Sequence, residues 1–215
     1  MEKIEAVVFD MDGVIFDTEH LIYRQWLEIG PKYGFNTLDT LFYSVIGGTK
    51  TRTEQVFYKE YGRDIPYWEF RDETKKAFFE YVNVHGVPKK DGIHELLEYL
   101  KERGYKIGLA SSTSIETITA ELKMEKLYDY FDVIIGGDLI KNSKPAPDIY
   151  LTACERLGVA PENAVAIEDS FNGIRSASSA GMMAIMVPDM IEPDDEMREK
   201  AYAIKRDLFE VKEML

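Results

Sequence analysis

Five short apolar runs punctuate this chain: AVVFD (6–10), YKIGLA (105–110), DVIIG (132–136), AVAIE (164–168) and MAIMV (183–187). None alternates polar with apolar residues, so each reads as a strand covered on both faces. Between them lie segments of helical period. Ile93, Leu96, Leu97 and Leu100 follow i, i+3, i+4, i+7. Ile149, Tyr150, Ala153, Cys154 and Leu157 share one helical stripe. In ERGYK and RLGVAPEN a glycine stands just past a helix end. Strands alternating with helices predict an α/β fold, a Rossmann-like parallel sheet joined by right-handed crossovers.

Residues 17–88 break the alternation. They hold no buried-strand pattern, and EHLIYRQWLEIGPKYG, TRTEQVFYKEYG and PYWEFRDETKKAFFEYV are rich in aromatics and charge. Each segment suits an amphipathic helix. The expectation is a core domain of 1–16 and 89–215 with an inserted four-helix domain of 17–88, the chain returning through Gly86, Pro88 and Gly92. Trp26, Trp68 and the tyrosines then read as packing residues and Cys154 as core. His85 and His94 read as linker and helix-surface residues, and EPDDEMREK as a solvated face.

Composition narrows the function. A net charge of −13 argues against a general nucleic-acid or anionic-membrane surface, and an anionic substrate would need its own local positive charge. A single cysteine rules out an intrachain disulfide and a cysteine-based zinc cluster. The N-terminus has the mixed charge of a chain without a signal peptide, and no run of about 18 apolar residues is present. The expected setting is cytoplasmic, with no membrane and no nucleic-acid partner, as a monomer or weak homodimer.

In an open parallel sheet, ligands bind beyond the C-terminal ends of the strands. The first predicted strand ends in Asp10 and Asp12. The second ends in Ser111, Ser112 and Thr113, the third leads through Asp138 to Lys144, and the fourth ends in Glu168, Asp169 and Ser170. Together these groups suit phosphoryl transfer. A carboxylate, Asp10, is a competent nucleophile toward phosphorus. Two anions repel, so a hard cation such as Mg2+ must bridge them, and Asp10 with Asp169 can hold it while Glu168 adds charge. Asp12 can protonate the leaving oxygen and then deprotonate water. Ser111, with Ser112 and the amides of the turn, can hold phosphoryl oxygens at a helix N-terminus, and Lys144 can neutralise the remaining charge. Each piece alone has a plainer reading: a turn for DMDG, a helix cap for SST, a surface loop for Lys144-Pro145, and dipole-favoured acids for Glu168-Asp169.

DMDGVIFDTE, LASST, KPAPDIY and IEDSFNGI resemble, in order, the four motifs of the haloacid dehalogenase superfamily. The helical insert is similar to the cap of its branch containing phosphoglycolate phosphatases, small sugar-phosphate phosphatases and β-phosphoglucomutases. The resemblance implies Asp10 as nucleophile and Asp12 as acid/base, with the Asp12 carbonyl also meeting the metal. It implies Ser111 and Lys144 at the phosphate, and Asp169 with Glu168 at Mg2+. An acid two positions after the nucleophile implies a phosphatase or phosphomutase rather than a dehalogenase. In the β-phosphoglucomutases a His follows the Thr of the Asp-Thr pair by four residues; here Thr18 is followed by Ile22, with His20 two residues earlier. The mutase Lys-Gly pair is also absent, since Ile46 precedes Gly47, although Lys50 and Arg52 lie close by. The reading is therefore an Mg2+-dependent phosphatase of a small phosphorylated metabolite, such as a sugar or polyol phosphate. The alternatives are a phosphomutase and a non-catalytic protein that keeps the fold. Thr18, His20, Lys50 and Arg52 are the candidate cap contacts to substrate.

Overall fold

The computed structural model describes residues 4–46 and 50–215, the side chain of Lys50 excepted. Its contacts divide the chain into two compact units, one of residues 1–16 with 89–215 and the other of 17–88.

The first unit is built on a six-stranded parallel sheet in the order β3-β2-β1-β4-β5-β6. Its strands are β1 (Ala6–Phe9), β2 (Lys106–Ser111), β3 (Val133–Gly136), β4 (Ala164–Glu168), β5 (Met183–Met186) and β6 (Ala203–Ile204). All four residues of β1 are fully buried, as the unbroken apolar run requires, and β1 pairs on both edges, Phe9 lying opposite Leu109 and Ile167. Successive side chains point to opposite faces. Ala6 and Val8 join Ala110, Ala164, Ala166 and Met186 in one core cluster, covered by α7 (Asp148–Leu157), α8 (Phe171–Ser179) and Met197 of α9 (Asp195–Lys200). α5 (Ile93–Arg103) buries Ile93, Leu96, Leu97 and Leu100 and packs beside β2 and α10 (Leu208–Met214). α6 (Ile115–Met124) packs beside β3. This is a Rossmann-like α/β fold, and its strand order reverses direction at β1, where a crevice opens beyond the strand ends.

Some elements exceed the sequence expectation, β6 and α9 among them. β6 is two residues long and only partly buried, too short to leave an apolar run. The segment read as a solvated face contains α9, capped by the Asp194 carboxylate accepting from the Met197 amide at 2.9 Å, with Met197 fully buried.

The second unit is helical: α1 (Thr18–Ile29), α2 (Leu38–Val45), α3 (Lys50–Tyr61) and α4 (Tyr67–His85). Its core is aromatic. Phe35, Phe57 and Phe70 are buried and meet one another with ring centroids 5.2–5.6 Å apart. Trp26 packs edge-on against Phe42, Phe57 and Phe70. Such edge-to-face contacts add to the area these rings remove from water. Trp68, expected in the packing, is instead 47% exposed, with the Arg71 guanidinium 5.2 Å from its ring centroid. Cys154 is buried in the first unit, as expected. Among the described residues no helix is long and apolar enough to cross a membrane.

Candidate active site

Asp10 follows β1 directly, and its amide donates to the Ile167 carbonyl of β4 at 2.9 Å. That bond carries the parallel register one residue past the strand and fixes the aspartate backbone between its neighbours. The residue is only 8% exposed, so its carboxylate needs partners. Lys144 supplies them. Its Nζ donates to Asp10 Oδ1 at 2.6 Å, to Glu168 Oε1 at 2.6 Å and to the Ala110 carbonyl at 3.0 Å. One ammonium thus bridges the ends of β1, β2 and β4. The loop carrying it is tied to α8 through Ser176, whose hydroxyl donates to the Ala146 carbonyl at 2.6 Å.

Glu168 is fully buried at the end of β4 and its carboxylate is hydrogen-bonded at both oxygens. Oε1 accepts from Lys144 and, at 2.7 Å, from the Tyr150 hydroxyl. Oε2 accepts from the Ser170 hydroxyl at 3.1 Å. The same Ser170 oxygen caps α8 by accepting from the Gly173 amide at 3.0 Å. Gly173 must lack a side chain, because a Cβ there would fall 1.8 Å from the Glu168 carboxyl carbon. Gly13 is constrained in the same way. It holds φ = 82°, and a Cβ on it would lie 2.3 Å from Asp169 Oδ2. The glycines of DMDG and SFNG are the clearances that let Asp169 and Glu168 reach the crevice.

The electrostatics follow from this crowding. Burial, and then the Glu168 charge, push the Asp10 carboxyl up to about 7 against the pull of Lys144. Burial opposes the Lys144 ammonium, but the charges of Asp10 and Glu168 outweigh it and hold its pKa above the ordinary lysine value. Tyr150 is raised well above the usual tyrosine range by burial and by Glu168, so it stays a proton donor in its hydrogen bond.

Asp10, Glu168 and Asp169 each offer a carboxylate oxygen, and these atoms lie within 4.8 Å of one another. Ser111 is 2% exposed and its Oγ accepts from the Thr113 amide at 3.1 Å. Ser112 turns its side chain to solvent. Asp12 Oδ2 accepts from the Thr113 hydroxyl at 3.1 Å. The crevice therefore brings together Asp10, Asp12, Ser111, Lys144, Glu168 and Asp169. It adds Tyr150, Ser170 and Thr113, whose hydroxyls contact the acids. The sequence places Tyr150 only on an apolar stripe, and Ser170 and Thr113 at predicted strand ends with no role of their own. The partners of Tyr150 and Ser170 are 18 and 2 residues away, and nothing in local pattern distinguishes these hydroxyls from caps and core.

The candidate residues of the helical unit have local partners. Thr18 is buried at the first turn of α1. His20 Nδ1 lies 2.6 Å from Asp17 Oδ1. Arg52 donates to the Ser44 carbonyl at 3.2 Å, near the end of α2. The side chain of Lys50 lies outside the described residues. Ile22 lines a cavity of about 320 Å³ within this unit, together with Trp26, Thr53, Arg71, Thr74 and Lys75.

The haloacid dehalogenase-like hydrolase family model matches residues 7–187. The chain is 35% identical over 187 residues to a phosphorylated carbohydrates phosphatase of Thermotoga maritima, covering 85% of this chain and 84% of that one. It is 31% identical over 199 residues to hexitol phosphatase B of Escherichia coli strain K12, covering 86% and 84%. The crystal structure of a β-phosphoglucomutase from Clostridium difficile superposes with a TM-score of 0.72 at 26% identity, over 97% of this chain and 93% of that one. With its parallel sheet, its helical insertion and its acids at the strand ends, the chain belongs to the haloacid dehalogenase-like hydrolase family.

Proposed function

We propose that this chain is a magnesium-dependent phosphatase of a small phosphorylated metabolite, a sugar or polyol phosphate, acting through an aspartyl-phosphate intermediate. Residues 1–16 and 89–215 form the catalytic core in this reading, and 17–88 the cap that selects the substrate. The observation that carries it is the buried Asp10 carboxylate bonded to Lys144 at 2.6 Å, with a second aspartate two residues on.

The donor set fits a magnesium ion. Three carboxylates gather here and Lys144 bonds to two of them, which leaves excess negative charge, and every offered ligand is a hard oxygen. Asp10 and Asp169 would hold the ion, with Glu168 adding charge while its own oxygens stay engaged by Lys144, Tyr150 and Ser170. When bound, magnesium neutralises the repulsion between nucleophile and phosphoryl group.

The chain's residues account for both half-reactions. Asp10 attacks phosphorus through a carboxylate oxygen, and the bond to the leaving oxygen breaks. Asp12 gives that oxygen a proton, so the alcohol departs neutral. Asp12, now a carboxylate, takes a proton from water as the water attacks the aspartyl-phosphate. The bond from phosphorus to Asp10 breaks, which releases inorganic phosphate and restores both carboxyl groups. Ser111 and Lys144 hold the phosphoryl oxygens; Ser111 Oγ accepts from the Thr113 amide, which leaves its O–H to donate to a phosphoryl oxygen. Ile22 stands four residues after Thr18, the sequence position at which the β-phosphoglucomutases carry their His, and offers no proton-transferring group, which favours water over a sugar hydroxyl as acceptor.

Phosphate release from sugar, polyol, glycolate and nucleoside phosphates, with magnesium and with chelator, tests this reading. Glucose 6-phosphate formation from β-glucose 1-phosphate is assayed in parallel, primed with the bisphosphate. Magnesium-dependent release without isomerisation is expected. Asp10→Asn should lower turnover by more than about 10³-fold while leaving the fold intact by circular dichroism. Turnover surviving in Asp10→Asn would sink the nucleophile assignment, and isomerisation without net release would make the enzyme a mutase.

A further inference from the structure

The segment after β2 is held more tightly than a helix cap requires. The Thr113 amide donates to Ser111 Oγ at 3.1 Å, and the Thr113 carbonyl accepts from the Gly137 amide at 2.9 Å. Gly137, just past β3, lies against this backbone so closely that a Cβ on it would be 2.4 Å from the Ser112 carbonyl oxygen. One residue further, Asp138 Oδ1 accepts from the Ile115 amide at 2.9 Å. Ser114 Oγ caps α6 by accepting from the Thr117 amide. Residues 111–115 are thus clamped by their own hydroxyls on one side and by Gly137 and Asp138 on the other. Within this segment the Thr113 hydroxyl reaches a carboxylate of the crevice. It donates to Asp12 Oδ2 at 3.1 Å, across 101 residues of sequence. A β-branched side chain on a pinned backbone has few rotamers, so the direction of this donor is fixed.

We propose that Thr113 is a positioning residue for Asp12: its hydroxyl holds one carboxylate oxygen so that the acid–base group meets the leaving oxygen in line. The proposal rests on the phosphatase reading and adds to it a residue whose effect depends on how much the leaving group needs a proton. Proton transfer is geometry-limited, so a loosened Asp12 slows the bond cleavage that requires its proton and spares the cleavage that does not. A phosphate-holding or purely structural role for Thr113 would slow both alike.

The experiment compares kcat/KM, which reports steps up to aspartyl-phosphate formation, for 4-nitrophenyl phosphate and for an alkyl phosphate such as a polyol phosphate. The 4-nitrophenolate leaves without help, whereas the alkoxide does not. Thr113→Val should lower kcat/KM for the alkyl phosphate by about tenfold or more and for 4-nitrophenyl phosphate by no more than about twofold. Thr113→Ser, which keeps the hydroxyl, should restore the alkyl phosphate rate. Thr113→Ala serves as a second deletion of the donor should the valine perturb folding, and circular dichroism melts of every variant are run alongside. Equal losses on both substrates, no loss on either, or failure of Thr113→Ser to restore the rate would each overturn the proposal. Asp10→Asn in the same assays separates the two levels. If it remains active, the phosphatase reading itself fails; if it is inactive while Thr113→Val slows both substrates equally, only the role of Thr113 fails.

Discussion

Among the described residues, the buried polar groups of the sheet unit include charged ones, and those of the helical unit are neutral. Asp10 and Glu168 are buried beside Ser111 and Ser176 in the first; Thr18, Gln25 and Thr74 are the corresponding buried polar residues of the second. The helical unit spends its interior on rings, and its ion pairs, such as Lys32 with Glu73, sit in solvent. The sheet unit spends part of its interior on a carboxylate–ammonium–carboxylate bridge whose every charge is hydrogen-bonded. Buried ion pairs seldom stabilise a fold relative to apolar packing of the same volume. Their placement at the strand ends therefore points to chemistry, and the aromatic core of the other unit points to packing.

The largest expected stability effect comes from breaking that bridge. Lys144→Ala leaves two carboxylates buried with no ammonium between them and should cost about 3–5 kcal/mol in urea unfolding with chelator present. Magnesium should recover part of the loss, because an ion that binds the folded site stabilises it by mass action. A cost below about 1 kcal/mol would mean that Asp10 and Glu168 share a proton rather than depend on Lys144.

In the helical unit the matching perturbation is a change of volume. Phe57 is fully buried among Trp26, Phe35 and Phe70. Phe57→Leu should cost about 1–2 kcal/mol through an unfilled cavity, by an amount that magnesium does not change. A magnesium-dependent cost would break the contrast, since it would tie aromatic packing to the charged crevice.

The two regions also differ in how much of them the sequence discloses. Val7, Val8 and Phe9 are legible as a strand because both faces of β1 are covered, which leaves an apolar run with no alternation. Asp10, Lys144 and Glu168 are legible as a site because the topology places strand ends together, so position along the chain predicts proximity. Tyr150 escapes notice, and Thr113 is read only as one more hydroxyl at a strand end, because each acts through a hydroxyl hydrogen bond to a residue far away in sequence, and tyrosine on an apolar stripe or threonine before a helix is ordinary. β6 escapes because two half-buried residues at a sheet edge carry no periodic signal. In the helical unit, pattern gives the helices but not which aromatics are inside: Trp26 is packed and Trp68 is exposed, and only the tertiary contacts decide.

The smallest effect is also the sharpest comparison, because it turns on a sign. Glu121 of α6 has a buried carboxylate oxygen with no hydrogen-bond partner among the described residues, and burial, then the Asp12 charge, push its carboxyl up to about 7. Glu73 of α4 is shifted the other way: hydrogen bonds from Lys32 and Tyr33 hold it below the usual glutamate range. A raised folded pKa means that the native state keeps a proton the unfolded chain has lost. The contribution of Glu121 is therefore present below the ordinary glutamate pKa and lost as pH rises through about 7. Glu73 contributes above the ordinary glutamate pKa and loses that contribution as pH falls through its lowered value. Glu121→Gln should match the parent protein near pH 5 and exceed it in stability near pH 8, both pH values chosen on either side of the shifted carboxyl. Glu73→Gln should be the less stable protein at neutral pH and converge on the parent in acid. Urea midpoints measured across this range in chelator give both differences. Opposite slopes would show that the sheet unit tolerates misplaced charge where the helical unit only decorates its surface with favourable charge; slopes of the same sign would remove electrostatics as the feature that separates the two units.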